Sequence, residues 1–130
     1  MSPNMSQEIL IVDDEYNIVL SLQFLVRQQG YSVRTAEDGE QALAALHEHL
    51  PDLLLLDVMM PRKDGYEVCQ VIRQTPTWSH LPVIMLTAKG REVEREKGLA
   101  MGADDYITKP FSTAEIVEVI RRRLNNTSPE

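Results

Sequence analysis

DLLLLDVMMPRKDG, residues 52–65, decides how the chain is read. Four consecutive leucines, Leu53–Leu56, fenced by Pro51 and Pro61, are too short to cross a membrane. They read as a strand buried on both faces, as in the middle of a parallel sheet. Asp57 stands where that strand ends. In open α/β sheets, ligands bind in the crevice beyond the carboxyl ends of the strands, so an acid leaving the core there is a candidate for chemistry. Alone it would be an aspartate that starts a loop. Its meaning depends on what the other strands deliver to the same edge.

Upstream, Ile9–Val12 is a short apolar run that stops at Asp13, Asp14 and Glu15, a strand with acids at its carboxyl end. Ile18, Leu22, Leu25 and Val26 recur at helical spacing, acids at the start suit the helix dipole, and Gly30 supplies the stop. Tyr31, Val33 and Thr35 alternate with Ser32 and Arg34, as in a half-exposed strand near a sheet edge, and this strand lacks a reactive tip. Asp38 caps the next helix, with Gln41 three residues on and a stripe of Ala42, Leu43 and Leu46.

Downstream, Asp64 and Glu67 form a capping box for a third helix with Val68, Val71 and Ile72 on its buried side, ending near Thr75 and Pro76. Val83–Leu86 is a fourth buried strand that ends in Thr87. Arg91–Met101 makes a poorer helix. Its apolar positions are Val93, Ala100 and Met101, Lys97 interrupts the stripe and Gly98 weakens the interior, so loose attachment is expected. The segment ADDYIT, residues 103–108, is a last strand whose end carries Lys109 and Pro110. Ser112 and Glu115 then cap a helix with the stripe Ile116, Val119, Ile120 and Leu124, and Arg121–Arg123 complement its negative end.

Strands alternating with helices in this way specify a doubly wound α/β fold with a mostly parallel sheet. With 130 residues, 43% of them hydrophobic, the chain accommodates one ordinary domain with a sizeable core. The formal net charge of -7 argues against nucleic acid or an anionic membrane as direct ligand, and favours cations or basic partners. One cysteine, Cys69, excludes an internal disulfide. A soluble, cytoplasmic protein is expected, with residues 1–6 and 125–130 disordered and residues 7–124 forming the domain.

On such a fold Asp13, Asp14, Asp57, Thr87 and Lys109 meet at one edge. Carboxylates brought within a few Å either raise one pKa or recruit a cation. All-oxygen ligation by few carboxylates suits Mg²⁺, which commonly spans carboxylate and phosphate oxygens. A cation, the Lys109 ammonium, the Thr87 hydroxyl and a carboxylate on a rigid strand are what phosphoryl transfer to Asp57 requires.

The motifs VDDE at 12–15, DVMMPRKDG at 57–65, LTAK at 86–89 and DDYITKPF at 104–111 together resemble the response-regulator receiver domain of bacterial two-component signalling, across nearly the whole chain. The resemblance implies a flavodoxin-like (βα)5 fold with strand order 2-1-3-4-5. It implies that Asp57 is the phosphoacceptor for a phosphohistidine on a sensor histidine kinase or phosphotransfer protein. Mg²⁺ would be held by Asp13, Asp14, Asp57 and the backbone carbonyl of Met59, while Thr87 and Lys109 contact the phosphoryl group. Thr87 and Tyr106 would be the switch pair, the Lys109–Pro110 bond would be cis, and the surface formed by residues 91–124 would change on phosphorylation. The DDYITKPF motif further resembles receivers joined to DNA-binding output domains, in which arginines of the last helix pair with such acids across a dimer. Here that helix offers Glu118 and Val119, so a monomer or a weak phosphorylation-dependent dimer is expected, controlling an unknown downstream protein or output domain.

A phosphatase of haloacid-dehalogenase type uses similar groups but needs a DxD motif on its first strand, where this chain has adjacent acids. A flavodoxin-like cofactor binder would place a flavin phosphate against Asp13, Asp14 and Glu15, which would repel it. A switch without turnover of an external substrate is the expectation. His47, His49 and His80 read as surface residues, Cys69 as a small core residue, and Trp78 as a cover for the sheet edge.

Overall fold

The computed structural model of the chain describes residues 7–88 and 92–125. Its elements alternate as β1 (Glu8–Val12), α1 (Tyr16–Gln28), β2 (Ser32–Ala36), α2 (Gly39–Glu48), β3 (Leu53–Asp57), α3 (Gly65–Gln74), β4 (Val83–Ala88), α4 (Glu92–Ala100), β5 (Asp105–Lys109) and α5 (Thr113–Asn125). All neighbouring strands pair in parallel, in the order β2-β1-β3-β4-β5. This is the flavodoxin-like arrangement. The six N-terminal residues and those from 126 on, expected to be disordered, lie outside the described residues, whereas Asn125, expected in the tail, closes α5.

The leucine run serves two cores. Leu54 and Leu56 join the cluster beneath α2 and α3, with Leu10, Val12, Val68, Cys69 and Ile72. Leu53 and Leu55 join the cluster beneath α1 and α5, with Ile9, Ile11, Leu22, Ile116 and Ile120. Every residue of β3 is buried. With each buried leucine contributing on the order of 2 kcal/mol, this strand is firmly held, and Asp57 is its last residue.

The expected caps form. Asp64 and Glu67 make a complete capping box, and Asp38 accepts the Gln41 N–H at 2.8 Å. Gly30 has a φ of +95°, which a glycine adopts without strain where the chain turns out of α1. The helix dipole of α1 receives less than expected, because its first turn contains no acid.

Three local expectations change. Thr35 of β2 is exposed, while Arg34 is half-buried: it bonds the carbonyls of Ala45 and His49 and pairs with Glu8 at 3.1 Å. Trp78 is not an edge cover but part of the α2–α3 core, edge-on to His47 with ring centroids 4.8 Å apart. In α4, Val93 is 77% exposed and Ala100 is exposed, whereas Gly98 is buried. A β-carbon on Gly98 would lie 2.7 Å from the sulfur of fully buried Met85. The glycine lets α4 sit close to β4, where the apolar pattern had suggested only weakness.

Candidate functional site

The carboxyl ends of β1, β3 and β5 converge on one ammonium group. Lys109 Nζ lies 2.9 Å from Asp13 Oδ2, 3.1 Å from Glu15 Oε1 and 3.2 Å from Asp57 Oδ1. Strand alternation explains the meeting. Asp13, Asp57 and Lys109 each follow by two residues an apolar side chain of the α1–α5 core, namely Ile11, Leu55 and Ile107, so all three leave the sheet on that face. The Lys109–Pro110 peptide is cis.

Asp13, Asp14 and Asp57 can place one carboxylate oxygen each within 4.8 Å of one another. Asp13 and Asp57 are buried, at 1% and 5% exposure, and Asp14 is exposed. One oxygen of Asp13 accepts the Glu15 N–H at 2.9 Å. The other, Oδ2, is near Lys109 but not aligned for a hydrogen bond, so it is a buried acceptor held by charge proximity alone. Burial, and then the charge of Asp13, push the Asp57 carboxyl up to about 7 against the opposing charge of Lys109. Burial also works against the Lys109 charge, but the close carboxylates of Asp13 and Asp57, with Glu15 beside them, outweigh it and raise its pKa. An excess of acid, an imperfectly satisfied buried oxygen and an all-oxygen donor set fit a hard divalent cation such as Mg²⁺.

Above these acids opens a pocket of about 590 Å³, lined among others by Asp14, Glu15, Asp57, Val58, Met59 and Lys109. The Met59 side chain is 62% exposed at its rim. Thr87 is placed differently. It is 2% exposed, pairs with Thr108 in the sheet, and belongs by alternation to the face of Met85 and Tyr106. Its neighbours Leu86 and Ala88 line the pocket. Half-buried Tyr106 is covered by α4, with the Arg95 guanidinium 4.6 Å from its ring centroid. Lys89, the last residue of the LTAK motif, lies outside the described residues.

Glu15, read in the sequence only as part of an acidic strand end and helix start, lines the pocket and holds Lys109. Its partner is 94 positions away, so only the fold could reveal the contact.

A family model described as the response regulator receiver domain matches residues 9–121. The alkaline phosphatase synthesis transcriptional regulatory protein PhoP of Bacillus subtilis is 48% identical over 128 residues, which is 96% of this chain and 52% of that protein. The phosphate regulon transcriptional regulatory protein PhoB of Rhizobium meliloti is 44% identical over 126 residues, 97% of this chain and 56% of that protein. The chain thus spans about half the length of the curated relatives it matches. Among solved structures, the chemotaxis response regulator CheY4 of Vibrio cholerae superposes with a TM-score of 0.87 at 30% identity, over 92% of this chain and 100% of that one. With its acids gathered at the head of a 2-1-3-4-5 sheet, the chain belongs to the receiver domains of two-component response regulators.

Proposed function

We propose that the chain is a phosphorylation-controlled switch in which Asp57 accepts a phosphoryl group from a phosphohistidine on a sensor histidine kinase or phosphotransfer protein. The observation that carries this reading is the convergence of Asp13 and Asp57 on Lys109, with Asp14 beside them. A bond forms between an Asp57 oxygen and phosphorus as the phosphorus–nitrogen bond of the donor breaks, leaving an acyl phosphate. Asp57 must be ionised to attack, and Lys109 favours that form. Asp13, Asp14, Asp57 and the Met59 carbonyl would hold Mg²⁺, which when bound neutralises charge on the phosphoryl oxygens. Lys109 contributes a second positive charge there.

The phosphoryl group brings about -1.5 to -2 charges and strong acceptors, enough to draw Lys109 and the Thr87 hydroxyl toward it. Thr87 then leaves the face it shares with Tyr106, and the surface of α4, β5 and α5 changes. Residues 7–124 act as the domain, in the cytoplasm, as a monomer or a weak phosphorylation-dependent dimer, with no nucleic acid or membrane bound by this chain directly. The transcriptional regulators among the relatives suggest that the changed surface acts on an output domain. The domain promotes its own phosphorylation and dephosphorylation without turnover of an external substrate.

The test is intact mass after incubation with Mg²⁺ and acetyl phosphate. One labile phosphoryl group is expected on the native chain and none on Asp57→Asn. Labelling that survives in the variant would overturn the assignment, and sustained hydrolysis of external phosphate esters would instead favour a phosphatase.

A further inference from the structure

The loop between β3 and α3 contains a backbone conformation that residues with side chains rarely adopt. Among the described residues Arg62 alone combines a side chain with a positive φ, at +69°. The Lys63 N–H bonds the Pro61 carbonyl at 2.8 Å, so Arg62 is the centre of a three-residue turn. The positive-φ form of that turn is rare and strained, and persists only where surrounding contacts hold it.

Those contacts come from α2. Arg62 Nη1 donates to Asp38 Oδ2 at 3.1 Å, while Asp38 Oδ1 caps α2 by accepting the Gln41 N–H at 2.8 Å. Asp38 is 5% exposed, so its charge is nearly withdrawn from water, and Arg62 is the cation that meets it. Next to it, Gly39 packs so closely on the Lys63 carbonyl that no β-carbon fits between them. At the far end of the loop, Gly65 N–H bonds the Val58 carbonyl at 2.8 Å and the bare Gly65 α-carbon abuts the Asp57 carbonyl. The segment carrying Val58 and Met59, both of which line the acid pocket, is therefore pinned by Gly65 at one point and by Arg62 at another.

We propose that Arg62 is a positioning residue: its pair with Asp38 holds the β3–α3 loop, and with it Met59, in the placement that lets the acid pocket bind Mg²⁺. The inference rests on the phosphoryl-transfer reading above. It adds α2, which contributes nothing to the pocket lining, to the elements that set the pocket's affinity.

Mg²⁺ alone is titrated calorimetrically into the native chain and into Arg62→Ala, Arg62→Lys, Asp38→Asn and the Arg62→Ala/Asp38→Asn double variant. Asn retains the oxygen that caps α2 and removes only the charge. The dissociation constant is expected to rise about three-fold or more in Arg62→Ala and Asp38→Asn, as for one partly exposed ion pair acting through the loop. The double variant should be no weaker than either single one, and Arg62→Lys should stay within about two-fold of native. Metal-free amide exchange should quicken at residues 59–63 in Arg62→Ala and stay unchanged in α2, whose cap is intact. In acetyl phosphate labelling the loss should appear in the Mg²⁺ concentration needed for half-maximal rate. Native-like Mg²⁺ affinity in both single variants would overturn the positioning role and leave the phosphoryl-transfer reading standing. A native chain that fails to bind Mg²⁺ would overturn both.

Discussion

Lys109 reaches Asp57 past an intervening strand: Nζ is 3.2 Å from Asp57 Oδ1 although β4 separates β5 from β3 in the sheet. The ammonium also lies against Asp13, so one cation holds two buried carboxylates. Lys109→Met keeps the aliphatic stem and removes the charge. In metal-free buffer at pH 8 it should cost about 1–3 kcal/mol in urea denaturation, since buried acids lose their partner. Added Mg²⁺ should recover part of the loss. An unchanged midpoint would show that Lys109 does not offset the charges of Asp13 and Asp57.

The raised pKa of Asp57 makes stability depend on pH. Its carboxyl is pushed from 3.8 up to about 7 on folding, mainly by burial. The folded state therefore holds this proton more tightly than the unfolded chain, a contribution fully present below about 3.9 and lost as pH rises through about 7. Asp57→Asn, neutral at every pH, should be nearly neutral for stability at pH 4. Above pH 7, without metal, it should stabilise by on the order of 4 kcal/mol. Denaturation of both proteins with EDTA at pH 4, 6 and 8 measures this, and a difference independent of pH would refute it.

Gly98→Ala separates helix propensity from packing. In a free helix the exchange would gain about 1 kcal/mol. Here the new β-carbon meets the Met85 sulfur at 2.7 Å, inside the core, so a net loss of about 1–2 kcal/mol is expected. In a Met85→Ala background the same substitution should cost much less, because the cavity admits the methyl group. Additive effects in urea denaturation would mean that the two residues do not compete for space.

Arg95 and Tyr106 join α4 to β5 through a guanidinium 4.6 Å from the ring centroid. Arg95→Ala should lower stability by about 0.5–1 kcal/mol and quicken amide exchange in α4 more than in α5. Lys97 lies 4.5 Å from the Tyr66 ring and holds the same helix toward α3, so Arg95→Ala/Lys97→Ala should loosen α4 further while the sheet stays protected. Equal exchange in α4 of the native and double variants would contradict this.

Most of the fold could be read from the residues because its signals are local. Leu53–Leu56 and Ile9–Val12 announce buried strands, Asp64 with Glu67 announces a helix start, and each βα repeat has the length a parallel crossover needs. The acids and Lys109 could be placed at one edge because parallel strands end on the same side. What stayed hidden depends on shape and on distance in sequence. Gly98 reads as a defect until Met85 is seen above it, and Trp78 reads as a cover until its pocket beside His47 exists. Arg62 gives no sign of its unusual φ, because Asp38 lies 24 positions away. Thr87 does lie at the end of β4 on the same edge, one residue beyond the Asp57–Leu86 pair, and by the pleat it shares the face of Met85, which no local pattern announces.

That turn of the pleat has an engineering consequence. The acids and Lys109 are wired through the α1–α5 side of the sheet, and Thr87 and Tyr106 through the side that carries Met85 and α4. Residues beneath α4, Met85 among them, can be repacked on a face that carries none of Asp13, Asp57 and Lys109. Substitution of Ile18 of α1, which lines the pocket, would act on the opposite face. The sheet separates the two sets, and β4 borders both, with Leu86 on one face and Thr87 on the other.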